Sequence, residues 1–202
     1  MAEKKPRSVV GCLVSFLVKF LIALVVIVGV AIFLTWLILR PTTFKVHVND
    51  ASLTKFNFTT TNTLQYKLSL NMALRNPNKK IAIYFDKIHA RAYYDGQRFD
   101  TESLTKWGFK SERKSTTILK PVFEGQNLVV LGADQLSEFY KEKSAGVYGI
   151  EMKFNLRIRF RIGDLITGGF KPKVKCDLEV PFSSNGKSAG RFETTKCDVN
   201  FF

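Results

Sequence analysis

The chain has 202 residues, of which 46% are hydrophobic and 18 are phenylalanine, and its formal net charge is +14. This length accommodates one ordinary domain and an anchor and argues against two globular domains, while the apolar fraction argues against global disorder. The charge favours polyanionic partners, whether phospholipid headgroups, acidic polysaccharide or nucleic acid, without distinguishing among them.

The first predicted element is a single membrane-spanning helix. Twenty uncharged residues lie between Lys19 and Arg40, and a helix of that length spans a hydrocarbon core of about 30 Å. A cleaved signal peptide and a buried core helix are the alternatives, but the run is too long for the former and lacks its Ala-x-Ala site. The predicted boundaries are a tail over 1–8, a helix over 9–39 with its core at 20–39, and an outer domain over 40–202.

The orientation of this helix follows from the charges before it. Lys4, Lys5, Arg7 and Lys19 lie on the short N-terminal side, so the positive-inside rule predicts a cytoplasmic tail and a domain that faces outward or into a lumen. Cys12 lies at the cytoplasmic edge, where cysteines are candidates for S-acylation; an inert membrane thiol is the alternative.

The segment after the helix is predicted to be β-structure. Apolar and polar residues alternate over 64–74 and 148–162, which is typical of half-buried strands. Shorter alternations cover 44–48, 88–92, 174–180 and 197–201, with turn signals between them at Asn76-Pro77-Asn78, Asp95-Gly96, Gly168-Gly169 and Asn185-Gly186. About seven one-sided strands predict an antiparallel β-sandwich.

One short helix interrupts the strands. Leu136, Phe139 and Tyr140 recur at helical spacing. Asp134 is the predicted cap at the start of this helix, and Gly146 is predicted to end it.

Two cysteines in the last two strands are candidates for a disulfide. Cys176 and Cys197 both lie on the apolar phase, and their midpoint falls between Gly186 and Lys187. In a hairpin centred there they stand opposite each other, and an oxidising outer compartment would let them bridge. The alternative is two buried free thiols.

Two surface features are candidate sites. Asn57-Phe58-Thr59 is an N-glycosylation sequon, which is either modified or left empty. The second is a candidate anion-binding patch on neighbouring strands, for which a solvated outer face is the alternative. Its members are Lys153, Arg157, Arg159, Arg161, Lys171, Lys173 and Lys175.

The sequence carries no motif that predicts catalysis. Gly186-Lys187-Ser188 resembles the end of a phosphate-binding loop. That loop requires a second glycine five residues before Gly186, and this position is occupied by Pro181. His47 and His89 have no ligand spacing to a cysteine, so neither a metal nor a cofactor is predicted. The predicted topology also argues against nucleic acid as a partner.

Several motifs in order resemble one family. Residues 75–86, RNPNKKIAIYFD, closely resemble the R-N-P-N-K/R-K/R-I-G-I-Y-Y-D motif of the plant NDR/HIN-like, or harpin-induced-like, proteins. Further agreement is found at residues 36–56, 92–99, 171–178 and 195–199. Within the motif, Asn76-Pro77-Asn78 is interpreted as a structural turn, because proline fixes φ and asparagine tolerates unusual backbone angles.

The resemblance implies a late-embryogenesis-abundant group 2 domain, which is an immunoglobulin-like or fibronectin-like β-sandwich, on a type II anchor in the plasma membrane or its plasmodesmata. Members are associated with pathogen defence, the hypersensitive response and senescence, and some with abiotic stress. We therefore expect a non-enzymatic defence protein that binds membrane proteins or acidic cell-wall polysaccharide. The alternatives are a stress-protective structural protein and a tether that binds anionic lipid. The oligomeric state stays open.

The chain departs from the family at two places. Members usually have a longer, cysteine-containing tail where this chain has eight residues and Cys12. The family's Y-Q-G-H-K-N-T stretch is replaced by residues 107–115, so a partner that recognises that stretch is not expected to bind here.

Overall fold

The computed structural model describes residues 9–39, 42–184, 187–188 and 190–201. At 9–10, 12, 35–39, 184 and 187–188 it describes the backbone alone. The chain divides into two compact units, Met1–Pro41 and Thr42–Phe202. The first contains one helix and the second contains the β-structure.

The helix of the first unit, α1, spans Val9–Leu39. Its stretch Leu13–Leu34 is long and apolar enough to cross a membrane. This stretch begins before Lys19, whereas the predicted core begins after it. The helix continues through this position because a lone lysine can extend its charged end along the helix towards the polar interface.

The second unit consists of strands and one short helix. The strands are β1 Lys45–Phe58, β2 Thr63–Arg75, β3 Ile81–Tyr94, β4 Gln97–Ser103, β5 Phe109–Ser111, β6 Thr116–Leu119, β7 Val122–Leu128, β8 Val147–Ile162, β9 Leu165–Ile166, β10 Lys173–Pro181, β11 Ser183–Ser184, β12 Lys187–Ser188 and β13 Thr195–Asn200. The helix, α2, spans Ala133–Ala145 and lies between β7 and β8.

The strands form two layers that share β13. In the first layer β1 pairs with β2, which also pairs with β6 and β7. In the second layer β3 pairs with β4, β5 and β8, and β8 pairs with β10. The start of β13 pairs with β1 and its end with β10, and all pairings between these strands are antiparallel. The predicted all-β antiparallel sandwich with one short helix is confirmed.

Alternation along the strands places one face of each layer in a common core. Every second residue of β2 from Leu64 to Leu74 is buried, and β8 follows the same pattern from Tyr148 to Ile158. Phe56 lies among aromatic rings at one end of the core, with ring centroids 4.8–6.0 Å from those of Tyr94, Phe99, Phe139 and Tyr148. The Phe-rich composition therefore supplies the interior of the sandwich.

The predicted cap of α2 was wrong. The N-cap residue is Gly132, whose backbone N–H donates to the Gln135 side chain at 2.9 Å, and Asp134 lies within the first turn. Gly146 ends the helix with a left-handed φ of 74°, as predicted. The helix buries Phe139, but Tyr140 is 56% exposed, because consecutive helical residues point about 100° apart.

A bulge in β3 shapes the outer surface of the second layer. Register with β8 shifts between Phe85 and Lys87, so two consecutive residues, Asp86 and Lys87, lie outside the core between buried Phe85 and Ile88. Such bulges redirect side chains relative to the ladder. This one sends both charged side chains to the outer face.

Candidate anion-binding face

The outer face of the second layer is formed by the non-core residues of β3, β8 and β10. Adjacent strands lie about 4.8 Å apart, so cross-strand partners on this face are near neighbours. All seven residues of the predicted basic patch belong to β8, to β10 or to the segment just before β10. The cations of the patch fall into two groups, which differ in whether the described residues provide a carboxylate partner.

The first group consists of cations that have carboxylate partners. Arg159 makes a two-pronged contact with Asp86, with Nε and Nη2 donating at 2.9 and 2.7 Å. These hydrogen bonds and the charge of Asp86 raise the pKa of Arg159. Arg161 donates to the Tyr84 hydroxyl at 3.3 Å and lies 3.4 Å from Asp164. The protein itself neutralises this end of β8.

Glu151 is the carboxylate partner of two further cations of the patch. Lys153 and Lys175 stand directly opposite each other on β8 and β10. Glu151 contacts both, forming an ion pair with Lys153 and lying 3.0 Å from the Lys175 Nζ. Burial raises the pKa of Glu151, but hydrogen bonds and charge from the two lysines outweigh burial and hold that pKa below its usual range. A carboxylate thus bridges a cross-strand pair of cations.

The second group has no such partner. Arg157, Lys171 and Lys173 line a groove of about 310 Å³ together with Lys87, His89, Asn155 and Leu156. We call these seven residues the cationic groove. Within the described part of the chain, none of Lys87, Arg157, Lys171 and Lys173 makes an ion pair, and all four are exposed.

Register brings the cations of the groove together across three strands. Lys87 of β3 is directly opposite Arg157 of β8, and Asn155 of β8 lies between His89 of β3 and Lys173 of β10. Like charges directly opposite each other destabilise a sheet. The Asn155 side chain, with its amide oriented to suit its neighbours, accepts from Arg91 at 3.2 and 3.3 Å. A further cation therefore lies beside the groove.

The sequence predicted three members of the groove and missed Lys87 and His89. Both flank apolar Ile88, where the alternation over 88–92 that predicts a strand begins. That alternation placed them outside the core. The pairing of β3 with β8, which brings them next to Arg157, is a tertiary property.

The end of the same face near α2 has the opposite charge. Asp95, Glu151, Asp177 and Glu179 surround a second depression there. Lys175 links the two regions, because its Nζ lies 3.2 Å from Asp177 and 3.0 Å from Glu151. No group of three or more His, Cys, Asp or Glu residues with metal-binding geometry occurs in the described residues.

The Asn76-Pro77-Asn78 motif lies inside the protein as a hydrogen-bonding centre. Asn76 and Asn78 are 1% and 4% exposed. The Asn76 amide donates to the carbonyls of Ile81 at 2.9 Å and Glu112 at 3.0 Å. The Asn78 side chain accepts from the Thr42 N–H at 2.8 Å and donates to the Thr42 carbonyl at 2.7 Å. The motif therefore joins the start of the domain to the loops that flank β3 and β5.

The two cysteines of the sandwich are bonded in the structure, with Cα atoms 4.5 Å apart. Pairs such as Val174 with Val199 have the register that was predicted from the hairpin midpoint, although Asn185-Gly186 lies outside the described residues. Beyond Lys175 and Asp198, β13 leaves β10, and Cys197 pairs with Val46 of β1. The disulfide thus lies where β13 passes from one layer to the other.

The two candidate modification sites differ in what the structure describes. Asn57 is exposed near the end of β1, opposite Gln65. The Thr59 side chain of the same sequon accepts from the Thr63 N–H at 3.2 Å, in the turn between β1 and β2. The side chain of Cys12 lies outside the described residues.

An exposed tryptophan follows β4. Trp107 is 96% exposed, and the next residue, Gly108, adopts φ +65°. A Cβ on Gly108 would lie 2.8 Å from the Phe85 carbonyl oxygen and 3.2 Å from the Asp86 Cα. This segment therefore runs tightly along the bulge of β3.

Comparison with known proteins places this architecture in a family. The sequence model of the late embryogenesis abundant protein family LEA_2 matches residues 71–178. NDR1/HIN1-like protein 10 of Arabidopsis thaliana is 50% identical over 194 residues, which cover 94% of this chain and 85% of the relative. The chain belongs to the NDR1/HIN1-like proteins of the LEA_2 family. The predicted resemblance is confirmed.

Other NDR1/HIN1-like proteins match at lower identity. NDR1/HIN1-like protein 3 of Arabidopsis thaliana is 42% identical, over 93% of this chain and 80% of the relative. NDR1/HIN1-like protein 2 of the same organism is 38% identical, over 82% of this chain and 69% of the relative. The LEA_2 match includes the Asn-Pro-Asn motif and ends within β10, so it contains most of the groove-forming strands.

Proposed function

We propose that this NDR1/HIN1-like protein is a non-enzymatic plasma-membrane protein that acts in plant defence signalling through a domain outside the cell. The observation that carries the proposal is the cationic groove, a cluster of exposed charges for which the described residues provide no carboxylate partner. Family membership supplies the physiological setting. The apolar helix α1 supplies the anchor.

Three features support an outward domain. Basic residues precede α1, which favours a cytoplasmic N-terminus. The bonded cysteines suit an oxidising compartment, where disulfides persist. Asn57 is exposed, as a glycosylated asparagine must be. All three are compatible with a type II protein of the plasma membrane or its plasmodesmata.

A binding role is also favoured by how the polar residues are used. The buried asparagines of the family motif hydrogen-bond to backbone groups. The hydroxyl of buried Tyr94 donates to the Glu142 carboxylate at 2.7 Å, which joins β3 to α2. These contacts maintain the fold, whereas the groove cations are exposed and available to a ligand.

The topology is tested by protease protection on intact plant cells that express the full chain with a C-terminal tag. We expect protease added outside to remove the tag. Glycosidase should shift the gel mobility of the wild type and not that of Asn57→Gln if the sequon is used. A tag that resists external protease would refute the outward orientation and with it the proposed signalling role.

The defence role is tested by removing the gene and challenging the plants with a pathogen that triggers the hypersensitive response. We expect weaker cell death, restored by the full chain and not by a chain ending at Pro41. An unchanged pathogen response would contradict the proposal.

Stress protection is a second candidate, favoured by the match to a late embryogenesis abundant family. Such a protein would stabilise the membrane or the wall during dehydration. Plants lacking the gene would then survive drought less well while retaining normal pathogen responses, which is the reverse of the outcome expected for a defence protein.

A further inference from the structure

We propose that the cationic groove binds the carboxylate groups of an acidic, uronate-containing polysaccharide. The inference rests on the proposed outward orientation, because that orientation exposes the groove to the cell wall. It assigns a ligand group and a binding site to the outer domain. Lys87, Arg157 and Lys173 are the central residues.

The sheet contains one cross-strand pair of cations that is neutralised by a carboxylate, and the groove contains a similar pair that a ligand carboxylate would neutralise. Lys153 and Lys175 form a cross-strand cation pair, and Glu151, two residues before Lys153 on β8, contacts both. Lys87 and Arg157 form a second cross-strand cation pair, and the residue two before Arg157 is Asn155. Beside the Lys153–Lys175 pair this position is the carboxylate Glu151, and beside the Lys87–Arg157 pair it is the neutral amide Asn155.

This difference leaves a concentration of charge without compensation. Asn155 lies between Lys173 of β10 and His89 of β3, each directly opposite it. Arg91 donates to the Asn155 side chain. No acidic residue lines the groove among those the structure describes. An external carboxylate placed above Asn155 would reach cations on three adjacent strands, which span about 10 Å.

The dimensions and lining of the groove suit one or two sugar rings. Ligand pockets have volumes of about 300–1,000 Å³, and this groove measures about 310 Å³. The aliphatic parts of the lysine and arginine side chains provide apolar surface. That surface can cover the C–H face of a sugar ring while the cationic ends hold its carboxylate.

Two other polyanions fit the observations less well. Anionic phospholipids are concentrated in the cytoplasmic leaflet, on the opposite side from an outward domain. Single-stranded nucleic acid is held by rows of aromatic rings on which bases stack. Among the described residues, no Phe, Tyr or Trp lines the groove.

The decisive experiment measures binding to the full chain in nanodiscs of neutral phosphatidylcholine. The probes are an unesterified oligogalacturonate and its fully methyl-esterified counterpart. We expect the unesterified probe alone to bind, with an affinity that falls as salt is added. Lys87→Gln/Arg157→Gln should weaken binding at least tenfold, whereas Lys153→Gln/Lys175→Gln, which removes the same charge from the pair held by Glu151, should change it less than threefold.

A variant that adds a carboxylate to the groove distinguishes binding at the groove from non-specific attraction of the probe to a basic protein. Asn155→Glu installs the internal carboxylate, so we expect binding to fall at least tenfold while the melting temperature stays the same or rises by about 3 °C. Asn49→Glu on the first layer makes the same change in net charge and should leave affinity within threefold. Asn155→Gln should behave as the wild type.

Several results would overturn the inference. These are equal binding of the esterified probe, equal losses in the two double variants, full affinity in Asn155→Glu, or no binding of either probe. Groove-dependent binding to nanodiscs containing phosphatidylserine, without binding to oligogalacturonate, would instead assign the site to lipid. Because this assay does not depend on orientation in cells, a cytoplasmic domain found by protease protection would refute the proposed function while leaving the carboxylate-binding measurement intact.

Discussion

At the scale of single residues, the asparagines of the family motif show how a turn signature can also form part of the interior. Asn78 satisfies both backbone groups of Thr42, and the Asn76 Oδ1 accepts from the Asn78 N–H at 3.1 Å and the Asn78 Nδ2 at 3.0 Å. A buried polar group is costly when it lacks a partner. The two side chains are therefore stabilising only as a complete network.

Asn78→Ala should destabilise the domain strongly. The change leaves the Thr42 backbone N–H and carbonyl without their partners, and we expect the free energy of unfolding to fall by about 2–4 kcal/mol. Chemical denaturation monitored by fluorescence measures this difference. Asn49→Ala, at an exposed asparagine of β1, should lower it by less than about 0.5 kcal/mol.

At the scale of elements, the outer face of β8 and its neighbours separates into neutralised and unneutralised parts. Arg159 and Lys153 have carboxylate partners, whereas Arg157 between them has none in the described part of the chain. The alternation of β8 predicted that all these cations lie on one face. Their partners come from β3 and from the position of Glu151, so alternation alone could not tell a paired cation from a free one.

The ion pairs of Glu151 predict a specific dependence of stability on acid. Because its folded-state pKa is lowered, its contribution is present above the unfolded pKa of about 4.3 and is lost as pH falls through the folded value. Glu151→Gln should therefore lower the unfolding free energy at pH 7 by about 1 kcal/mol or less and by progressively less below about pH 4.

Denaturant titrations at several pH values provide the measurement. Asp164→Asn serves as the control, because Asp164 is fully exposed beside Arg161, and its pH profile should match that of the wild type. A constant difference between wild type and Glu151→Gln from pH 7 to pH 3 would rule out this origin of acid sensitivity.

At the scale of the whole molecule, β13 joins the two layers. It pairs with β1 through Val46 to Val48 and with β10 through Lys173 to Lys175, and the disulfide lies at the transition. A cross-link at this point restrains the second layer relative to the first within the sandwich. It also closes a chain segment with a sequence separation of 21 residues.

Removing the disulfide should lower stability without changing the fold. For Cys176→Ala/Cys197→Ala we expect a loss of about 3 kcal/mol from greater chain freedom in the unfolded state. The reduced wild type should lose a similar amount, as measured by denaturation with and without reductant. Cys12→Ala retains the disulfide and should respond to reductant as the wild type does. Equal stability of oxidised and reduced protein would contradict this structural role.

The sequence by itself determined the elements and the direction in which their side chains face. Hydropathy defined the apolar helix and period-two alternation defined β2 and β8, because these properties depend on neighbours along the chain. The hairpin midpoint gave the register of β10 with β13. The sequence missed the cap at Gly132, since asparagine, aspartate and glycine all suit that position and only the local backbone selects one.

Only the tertiary structure determined which charged residues come together and which of them have carboxylate partners. The approach of β3 to β8 places Lys87 opposite Arg157, and the bulge at Asp86 gives Arg159 its partner. These contacts join residues about 70 positions apart, and no periodicity along the chain records which strands will pair. Burial of Asn76 and Asn78 is likewise a result of three distant segments meeting, because a turn motif can lie equally well in solvent or in a core.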